Sequence, residues 1–174
     1  MNLLPGMTGY QGQNALTYGS AIEVKGAGME GWISVYNNTG SALSNGAIKV
    51  LSFIVTSGAL FPVPVVPATE VTDANLIIVI DNSPLNESTI ANGEWGFAKF
   101  SGVVAASVDG DTIDVAEGTQ LEVLNAGTAF TSAGIAEGFV LEAETCAIAL
   151  EANAAAAASK YVFLLGKQSA IQAA

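Results

Sequence analysis

Three pairs of acidic residues are the part of this sequence whose types and spacing could support chemistry. They are Asp109 with Asp111, Asp114 with Glu117, and Glu142 with Glu144. Two carboxylates in one cleft are the machinery of most glycosidases, and oxygen ligands around an Asp-Gly-Asp turn suit calcium, although the full calcium-loop spacing is missing. Aspartates also stabilise turns, and alternate glutamates on a strand face water. The pairs therefore predict a turn and a solvated strand face, with a carboxylate active site and a calcium site as alternatives.

The rest of the catalytic inventory is limited, because the 174 residues include no histidine and no arginine. Without imidazole there is no Ser-His or Cys-His pair and no general base with an ordinary pKa near neutrality. Five lysines stand against 16 acidic residues, for a net charge of −11. Because basic patches and arginine carry most phosphate recognition, binding to nucleic acid or to an anionic membrane surface is disfavoured. We expect a protein that is not an enzyme and that needs no cofactor or metal.

The segment from Gly26 to Gly31 matches the dinucleotide-binding pattern GxGxxG literally. That pattern binds pyrophosphate only where it opens a helix, whose N-terminus faces the phosphates. Here Trp32-Ile33-Ser34-Val35-Tyr36 comes next, which is typical of a strand. We therefore interpret the match as accidental.

The single cysteine, Cys146, excludes an intrachain disulfide and a four-cysteine zinc site. Its apolar neighbours predict a buried, inert thiol. The N-terminal residues lack a basic leader and an apolar run of signal-peptide length, and no run reaches the ~20 apolar residues of a transmembrane helix. We expect a soluble protein made in a cytoplasm.

The acidic turn at Asp109-Gly110-Asp111 predicts a β-hairpin. Val104, Ala106 and Val108 alternate before it, and Ile113 and Val115 alternate after it. Folding about this turn would set Val108 opposite Ile113 and Ala106 opposite Val115 on one apolar face. The prediction is a half-buried antiparallel sheet.

Two other segments, Ala47–Val55 and Leu76–Ile80, are nearly continuous in apolar residues. Such runs are typical of strands that are buried on both faces. Between them, Pro62, Pro64 and Pro67 remove backbone donors, which predicts an edge strand or an extended loop.

The last third of the chain predicts one or two further strands between Phe139 and Glu151. Leu141 and Ala143 hold one parity and Ile148 and Leu150 the other, so we expect a bulge or break near Thr145. The alanine-rich residues 152–159 are too few for a stable helix and predict one helical turn or a loop. Residues 161–165 predict a closing strand.

Together these segments predict an all-β fold, a small antiparallel β-barrel or β-sandwich, of which a jelly roll is one form. Residues 1–20 predict an extended N-terminal arm, residues 21–167 a single β domain, and residues 168–174 a C-terminal tail. The arm holds isolated apolar residues that cannot form a core of their own, so it predicts docking onto a neighbouring surface or onto its own domain.

The composition is 51% hydrophobic and 12% charged. A soluble surface with so little charge predicts that part of the apolar area meets other protein, in an oligomer or a complex. Trp95, Phe97 and Phe100 suit the core, an interface or a sugar-stacking platform. The candidate interface residues are Leu3, Leu4, Met7, Tyr10, Tyr18, Trp95 and Phe97.

Three segments carry a resemblance to a known family: GWISVYNNTGSALSNGAIKV, then GFAKFSGVVAASVDGDTIDVAEGTQLEVLNAGTAF, then CAIALEANAAAAASKYVFLLGK. Over residues 30–167 this order resembles the capsid decoration, or cement, proteins of tailed bacteriophages. The shared features are an Asn-Thr-Gly turn that opens a strand and an Ala-Leu-Glu-Ala segment that precedes a closing apolar strand.

The resemblance implies a small β-barrel or β-sandwich on the outside of an icosahedral shell, bound to neighbouring major capsid subunits and often trimeric. It places the protein on the virion exterior, after synthesis in the cytoplasm of a bacterial host. One alternative is a carbohydrate-binding or adhesion module on a virion or cell surface that stacks sugars on Trp32, Trp95 or nearby tyrosines. Another is a hydrolase, which requires several carboxylates with raised pKa values in one pocket.

Overall fold

A computed structural model describes residues 30–56, 59–66, 76–123, 128–132 and 145–166. These residues form eleven strands and one 3-10 turn at Ser83–Leu85. The strands are β1 (Gly31–Tyr36), β2 (Leu43–Ser44), β3 (Ile48–Thr56), β4 (Ala59–Val65), β5 (Leu76–Ile80), β6 (Thr89–Ile90), β7 (Trp95–Val108), β8 (Gln120–Val123), β9 (Phe130–Ser132), β10 (Ala147–Ala149) and β11 (Ala158–Leu165). The predicted all-β class is confirmed. The described part of the chain contains no helix long and apolar enough to span a membrane.

Five of the strands close into a barrel. β7 pairs with β11, β11 with β10, β10 with β8 and β8 with β9, all antiparallel. β9 then returns to β7 through one parallel pair, Val108 with Phe130. The ring therefore has one parallel contact where the sequence predicted antiparallel pairing throughout.

The interior of this ring belongs to one apolar cluster, which we call the barrel core and which extends to buried residues of β3 and β5. All five strands contribute buried side chains to it: Val108, Leu121, Phe130, Ala147 and Leu164. Burial of the large side chains among them is the main stabilising term of the fold, at roughly 1.5–3 kcal/mol for each fully buried Val, Leu or Phe.

A second core lies on the far side of the sheet that extends from β7. The sheet continues from β7 through β5 and β3 to β4, with β1 also paired to β7. Ile77 and Val79 belong to the barrel core, whereas Ile78 and Ile80 belong to the second core. Because successive side chains of a strand point to opposite faces, β5 is covered on both sides. β3 is covered on both sides only from Ile48 to Leu51, because Phe53 and Val55 beyond it are 52% and 71% exposed. The prediction of a doubly buried strand is therefore confirmed for β5 and wrong for the second half of β3.

The long strand β7 serves both cores. From Gly102 to Val108 every second residue is buried, whereas four consecutive residues, 96–99, are buried on both faces. Gly102 has a φ of +96°, a left-handed conformation that residues with a β-carbon rarely adopt. Gly102 lies beside Ser101, which pairs with both β1 and β11, at the junction of the two halves of β7.

The strand β4 lies at the end of the sheet and carries two of the prolines. It pairs with β3 from Val50 opposite Val65 to Thr56 opposite Ala59. Pro62 and Pro64 are two residues apart, so their backbone nitrogens lie on the same side of β4. On the side away from β3, a missing N–H costs no hydrogen bond of the β3–β4 ladder. The predicted edge strand is confirmed, and Pro67 lies outside the described residues.

The predicted hairpin about Asp109-Gly110-Asp111 is wrong. Val104, Ala106 and Val108 do face the core, but Ile113 is 46% exposed and pairs with nothing on β7. Val115 instead forms an isolated antiparallel bridge with Asn153, with backbone bonds in both directions. β7 pairs instead with β11, over eight positions from Val108 opposite Ala158 to Ser101 opposite Leu165.

The side chain of Asn153 joins the end of β7 to the loop that precedes β11. Its Nδ2 donates to Val108 O at 2.8 Å and to Ala155 O at 3.0 Å, and the side chain is buried. Gly110 lies against it, since a β-carbon there would overlap the Asn153 carbonyl. The alanine-rich segment is thus a loop, the second of the two predicted forms, until it enters β11 at Ala158.

The parity predicted for β10 is also wrong. Ala147 and Ala149 are buried in the barrel core, whereas Leu150 is 37% exposed. The inward positions of β10 are therefore held by small residues, in one cluster with Phe130 and Leu164. The closing strand is confirmed and begins three residues earlier than predicted. The predicted strand at 141–144, the arm at 1–20 and the tail at 168–174 lie outside the described residues, and the domain boundaries stay predictions.

Candidate functional site

The acidic residues of the 109–117 segment are spread along an exposed loop. Asp111, Asp114 and Glu117 are exposed, and Asp109 Oδ1 accepts the backbone N–H of Asp111 at 3.0 Å. This bond is the turn-stabilising arrangement expected of an aspartate in a turn. Among the described residues, no three acidic or cysteine side chains form a group that could hold a metal ion. Glu142 and Glu144 lie outside the described residues.

The GxGxxG match leads directly into strand β1, as predicted. Gly31 starts the strand, and its position is occupied on the side-chain side by the ring of Phe100. The glycine there allows close packing of β1 on β7. Dinucleotide binding requires a helix N-terminus at this point of the chain, and Gly31 opens a strand instead.

Cys146 is buried, as predicted, and its Sγ lies 3.5 Å from Leu121 O. Burial, with a smaller contribution from the charge of Glu122, raises the pKa of the thiol to about 12. A thiol in this state is neutral at physiological pH, and the thiolate is the reactive form.

The ε-ammonium of Lys99 is the one cation enclosed by the described part of the fold. Its Nζ donates to Val103 O at 2.7 Å and pairs with Glu30 Oε1 at 3.2 Å. It also lies 4.6 Å from the centroid of the Trp32 ring, a cation-π distance. Lys99 sits opposite Trp32 in the β1–β7 ladder, so the register sets this contact. The contacts of Lys99 with Glu30 and Trp32 hold the start of β1 against β7.

Trp95 belongs to a cluster of three aromatic rings. Its ring lies 5.5 Å from that of Tyr36 and 5.9 Å from that of Phe61, the second in a stacked arrangement. These rings come from β1, β4 and β7, so side chains join β4 to β1 where the backbones do not pair in the described residues. Phe97 is buried nearby in β7.

The structure describes two of the seven predicted interface residues, Trp95 and Phe97. Trp95 is half-buried and Phe97 is buried. The arm residues Leu3, Leu4, Met7, Tyr10 and Tyr18 lie outside the described residues. Trp32, the other candidate for sugar stacking, is 8% exposed and has Lys99 over its ring.

An open cleft of about 470 Å³ lies between the β2–β3 loop and the outer face of β7 and β11. Its walls include Asn45, Asp81, Lys99, Val103 and Tyr161. Tyr161 is 53% exposed and Val103 39% exposed. The volume falls within the usual range for a small-molecule site.

A separate apolar surface lies on the hairpin formed by β3 and β4, which we call the apolar hairpin. Phe53 and Val55 are 52% and 71% exposed and, two residues apart in β3, lie on one face of the hairpin. At the end of β4, Val65 and Val66 are 36% and 57% exposed, and Val65 lies on the other face because it pairs with the buried Val50. The segment from Val50 to Thr69 contains no charged residue.

Sequence reasoning missed both the cleft and the apolar hairpin as sites. The sequence predicted Tyr161 only as part of a closing strand, and it predicted Phe53 and Val55 as part of a buried strand. An uncharged stretch of such length in an acidic chain was the available signal for the hairpin. No local signal marks the cleft, because its walls are separated by more than 100 residues.

No model of a known protein family matches the chain, and no curated protein is similar to it. Among solved structures, the chain is similar to the N base of the head fiber gp8.5 of bacteriophage phi29. The identity is 11%, the match covers 83% of this chain and 100% of that one, and the TM-score is 0.42. Likeness at this level carries no inference about function.

Proposed function

We propose that the chain is a structural protein of a tailed-phage head, a decoration or cement protein that binds the outer surface of the major capsid shell. The apolar hairpin is the observation that carries the proposal. Exposed apolar side chains that lie together on a soluble protein mark surfaces that bind other protein. The sequence resemblance to cement proteins over residues 30–167 supports the choice of partner.

The distribution of charge suits this role. The chain carries a net charge of −11, yet Phe53 and Val55 project from a segment without a carboxylate. Desolvation of charged groups is a major cost of protein association. A contact made through the apolar hairpin avoids that cost, while the acidic remainder keeps the protein soluble.

The proposed mechanism is mass action. A protein that binds the assembled shell and not the dispersed capsid subunits stabilises the shell by RT ln(1 + [L]/Kd), about 2.7 kcal/mol per site at a hundredfold excess over Kd. No reaction is required. The closed barrel provides a rigid body, so little conformational entropy is lost when the surface docks.

We further propose that copies of the chain associate as a homotrimer or another homo-oligomer. The support is the low charge content, 12% of the residues, which leaves apolar area to cover. Sedimentation equilibrium of the purified protein tests this. A single species at the monomer mass across the concentration range would contradict it.

The function is tested with heads that lack the protein. Purified protein added back should co-sediment with the heads and raise the temperature at which they release DNA. The variant F53S/V55S should lose both effects, because it replaces the exposed apolar groups with hydroxyls. Ile113→Ser is the matched control, since Ile113 is also exposed, at 46%, but lies on the acidic loop. Heads that neither bind the protein nor gain heat tolerance would refute the proposal.

A further inference from the structure

The cleft beside Tyr161 has the features of a binding site that the capsid role does not use. It is lined by residues of β5, β7, β11 and the β2–β3 loop, and none of its lining residues belongs to the apolar hairpin. We propose that this cleft binds a neutral saccharide, with the ring of Tyr161 as its stacking surface. The proposal does not depend on the proposed function.

The strand backbone fixes the position of Tyr161. Its N–H donates to Glu151 Oε2 at 2.9 Å, and its carbonyl accepts the N–H of Leu150 at 3.0 Å. On the opposite side it pairs with Ala105 of β7. With its backbone held this way, Tyr161 can bind a ligand without further ordering of the main chain, which lowers the entropic cost.

The exposed apolar surface in the cleft matches one face of a sugar ring. Tyr161 pairs with Ala105, and Val103 pairs with the next outward residue, Phe163. Tyr161 and Val103 therefore lie diagonally on one face of the sheet. The C–H face of a pyranose can cover such a surface, whereas its hydroxyls need polar partners at the rim.

The rim supplies those partners from residues that are themselves held in place. Asp81 Oδ1 accepts the N–H of Ser83 at 3.2 Å, and the backbone N–H of Asp81 donates to Phe97 O at 3.0 Å. Asn45 Nδ2 donates one hydrogen to Glu87 O at 3.1 Å and has a second to give. Asp81 Oδ2 and the Tyr161 hydroxyl have no bond within the described residues, so both can meet a hydroxyl of the ligand.

The charges favour a neutral ligand over an anionic one. The Lys99 ammonium in the cleft wall is already paired with Glu30, which leaves the Asp81 carboxylate as the uncompensated charge. An anionic sugar would meet this carboxylate and the net charge of −11. A hydroxyl that donates to Asp81 forms instead a charge-assisted hydrogen bond.

The test is a titration of the full chain with four neutral disaccharides, maltose, cellobiose, lactose and N,N′-diacetylchitobiose, and with two anionic probes, sialyllactose and a heparin disaccharide. Isothermal titration calorimetry and ligand-observed NMR report the binding. At least one neutral probe should bind with a Kd of millimolar order, more tightly than either anionic probe. Backbone amide shifts of the unmodified protein should change at Tyr161, Ala105 and Gly46.

Two substitutions locate the site. Tyr161→Ala should weaken binding at least about tenfold, whereas Tyr161→Phe, which keeps the ring, should stay within about threefold. Phe53→Ala is the matched control, because Phe53 is a similarly exposed aromatic residue on the apolar hairpin; it should leave binding unchanged. Far-UV circular dichroism checks that each variant is folded.

Three results would overturn the proposal. They are no binding of any neutral disaccharide up to about 20 mM, tighter binding of an anionic probe than of all neutral ones, and amide shifts confined to residues away from the cleft. The shift map uses the unmodified protein, so it decides the question even if Tyr161→Ala does not fold. Loss of the shell interaction in F53S/V55S with the saccharide site intact separates the two proposals.

Discussion

Buried asparagine side chains stabilise the loops of this fold. Asn37 and Asn82 are fully buried, and each satisfies both ends of its amide. Asn37 Nδ2 donates to Ile90 O at 2.9 Å, and Asn82 Nδ2 donates to Thr89 O at 2.9 Å. A buried amide is stable only when its donors and acceptors are all met. These two side chains therefore fix β6 against the main sheet.

The thiol of Cys146 gives a pH-dependent prediction. Burial raises its pKa from 9.0 to about 12, so above pH 9 the unfolded chain loses a proton that the folded chain keeps. The contribution of the thiol to stability is complete below pH 9 and is lost as the pH rises toward 12, by at most about 1.4 kcal/mol per pH unit. Urea unfolding from pH 8 to about pH 11 should show a steeper loss for the native chain than for Cys146→Ala.

The other groups that titrate in this range are the same in both proteins, so the difference between the two slopes isolates the thiol. Equal slopes would show that the thiol ionises as readily in the folded chain as in the unfolded one. They would contradict the burial of Cys146.

At the scale of elements, two loops are joined where the sequence predicted a hairpin. Val115 and Asn153 exchange backbone hydrogen bonds, and Asn153 Nδ2 reaches Val108 O at the end of β7. The apolar alternation of Val104 to Val108 is local information and was interpreted correctly. The partner of that strand is not local, because β11 begins fifty residues beyond the end of β7.

The Asn153 contact predicts a loss of stability on truncation. Asn153→Ala removes the donor and leaves the buried Val108 carbonyl without this bond, so we expect a loss of about 1–3 kcal/mol in the free energy of unfolding. Urea denaturation followed by circular dichroism measures it. Asn38→Ala is the control, since Asn38 is exposed in a turn; it should cost no more than about 0.5 kcal/mol. Equal effects of the two substitutions would contradict the role of Asn153.

The elements that could be predicted are those whose evidence lies in consecutive residues. The doubly buried strand β5, the buried first half of β3, the edge position of β4 and the closing strand all follow from apolar runs and prolines. Strand partners could not be predicted, because pairing depends on loop closure and on competition among similar strands. The site shows the same division. The low charge content indicated an exposed apolar surface. Nothing in the sequence distinguished Lys99 from the other four lysines, because its contact with Trp32 depends on the β1–β7 register.

At the scale of the whole molecule, the two cores share their strands. Ile77 and Ile78 are adjacent in β5 yet belong to the barrel core and the second core respectively. β3 and β7 are shared in the same way. Neither core can lose its packing without exposing a face of a strand that the other needs, so unfolding should be a single cooperative transition.

Core truncations test this cooperativity. Leu121→Ala in the barrel core and Ile78→Ala in the second core remove fully buried side chains and should each cost about 2–5 kcal/mol. Both tryptophans, Trp32 and Trp95, lie in the β1–β7 region, away from Leu121. In Leu121→Ala, the urea midpoint from tryptophan fluorescence should fall as far as the midpoint from circular dichroism. A fluorescence midpoint that stays in place would show that the cores unfold separately.

The prolines of β4 have a consequence for how the chain behaves when it is crowded. The apolar hairpin combines exposed Phe53 and Val55 with an uncharged, strand-forming segment that ends the sheet beside β1. Uncharged segments of strand-forming residues are the kind that seed amyloid-like growth. Pro62 and Pro64 act as gatekeepers, because an incoming strand finds no N–H at those positions to extend the ladder. The exposed side chains of the hairpin can therefore bind another protein, while its two prolines oppose the addition of strands that would form a fibril.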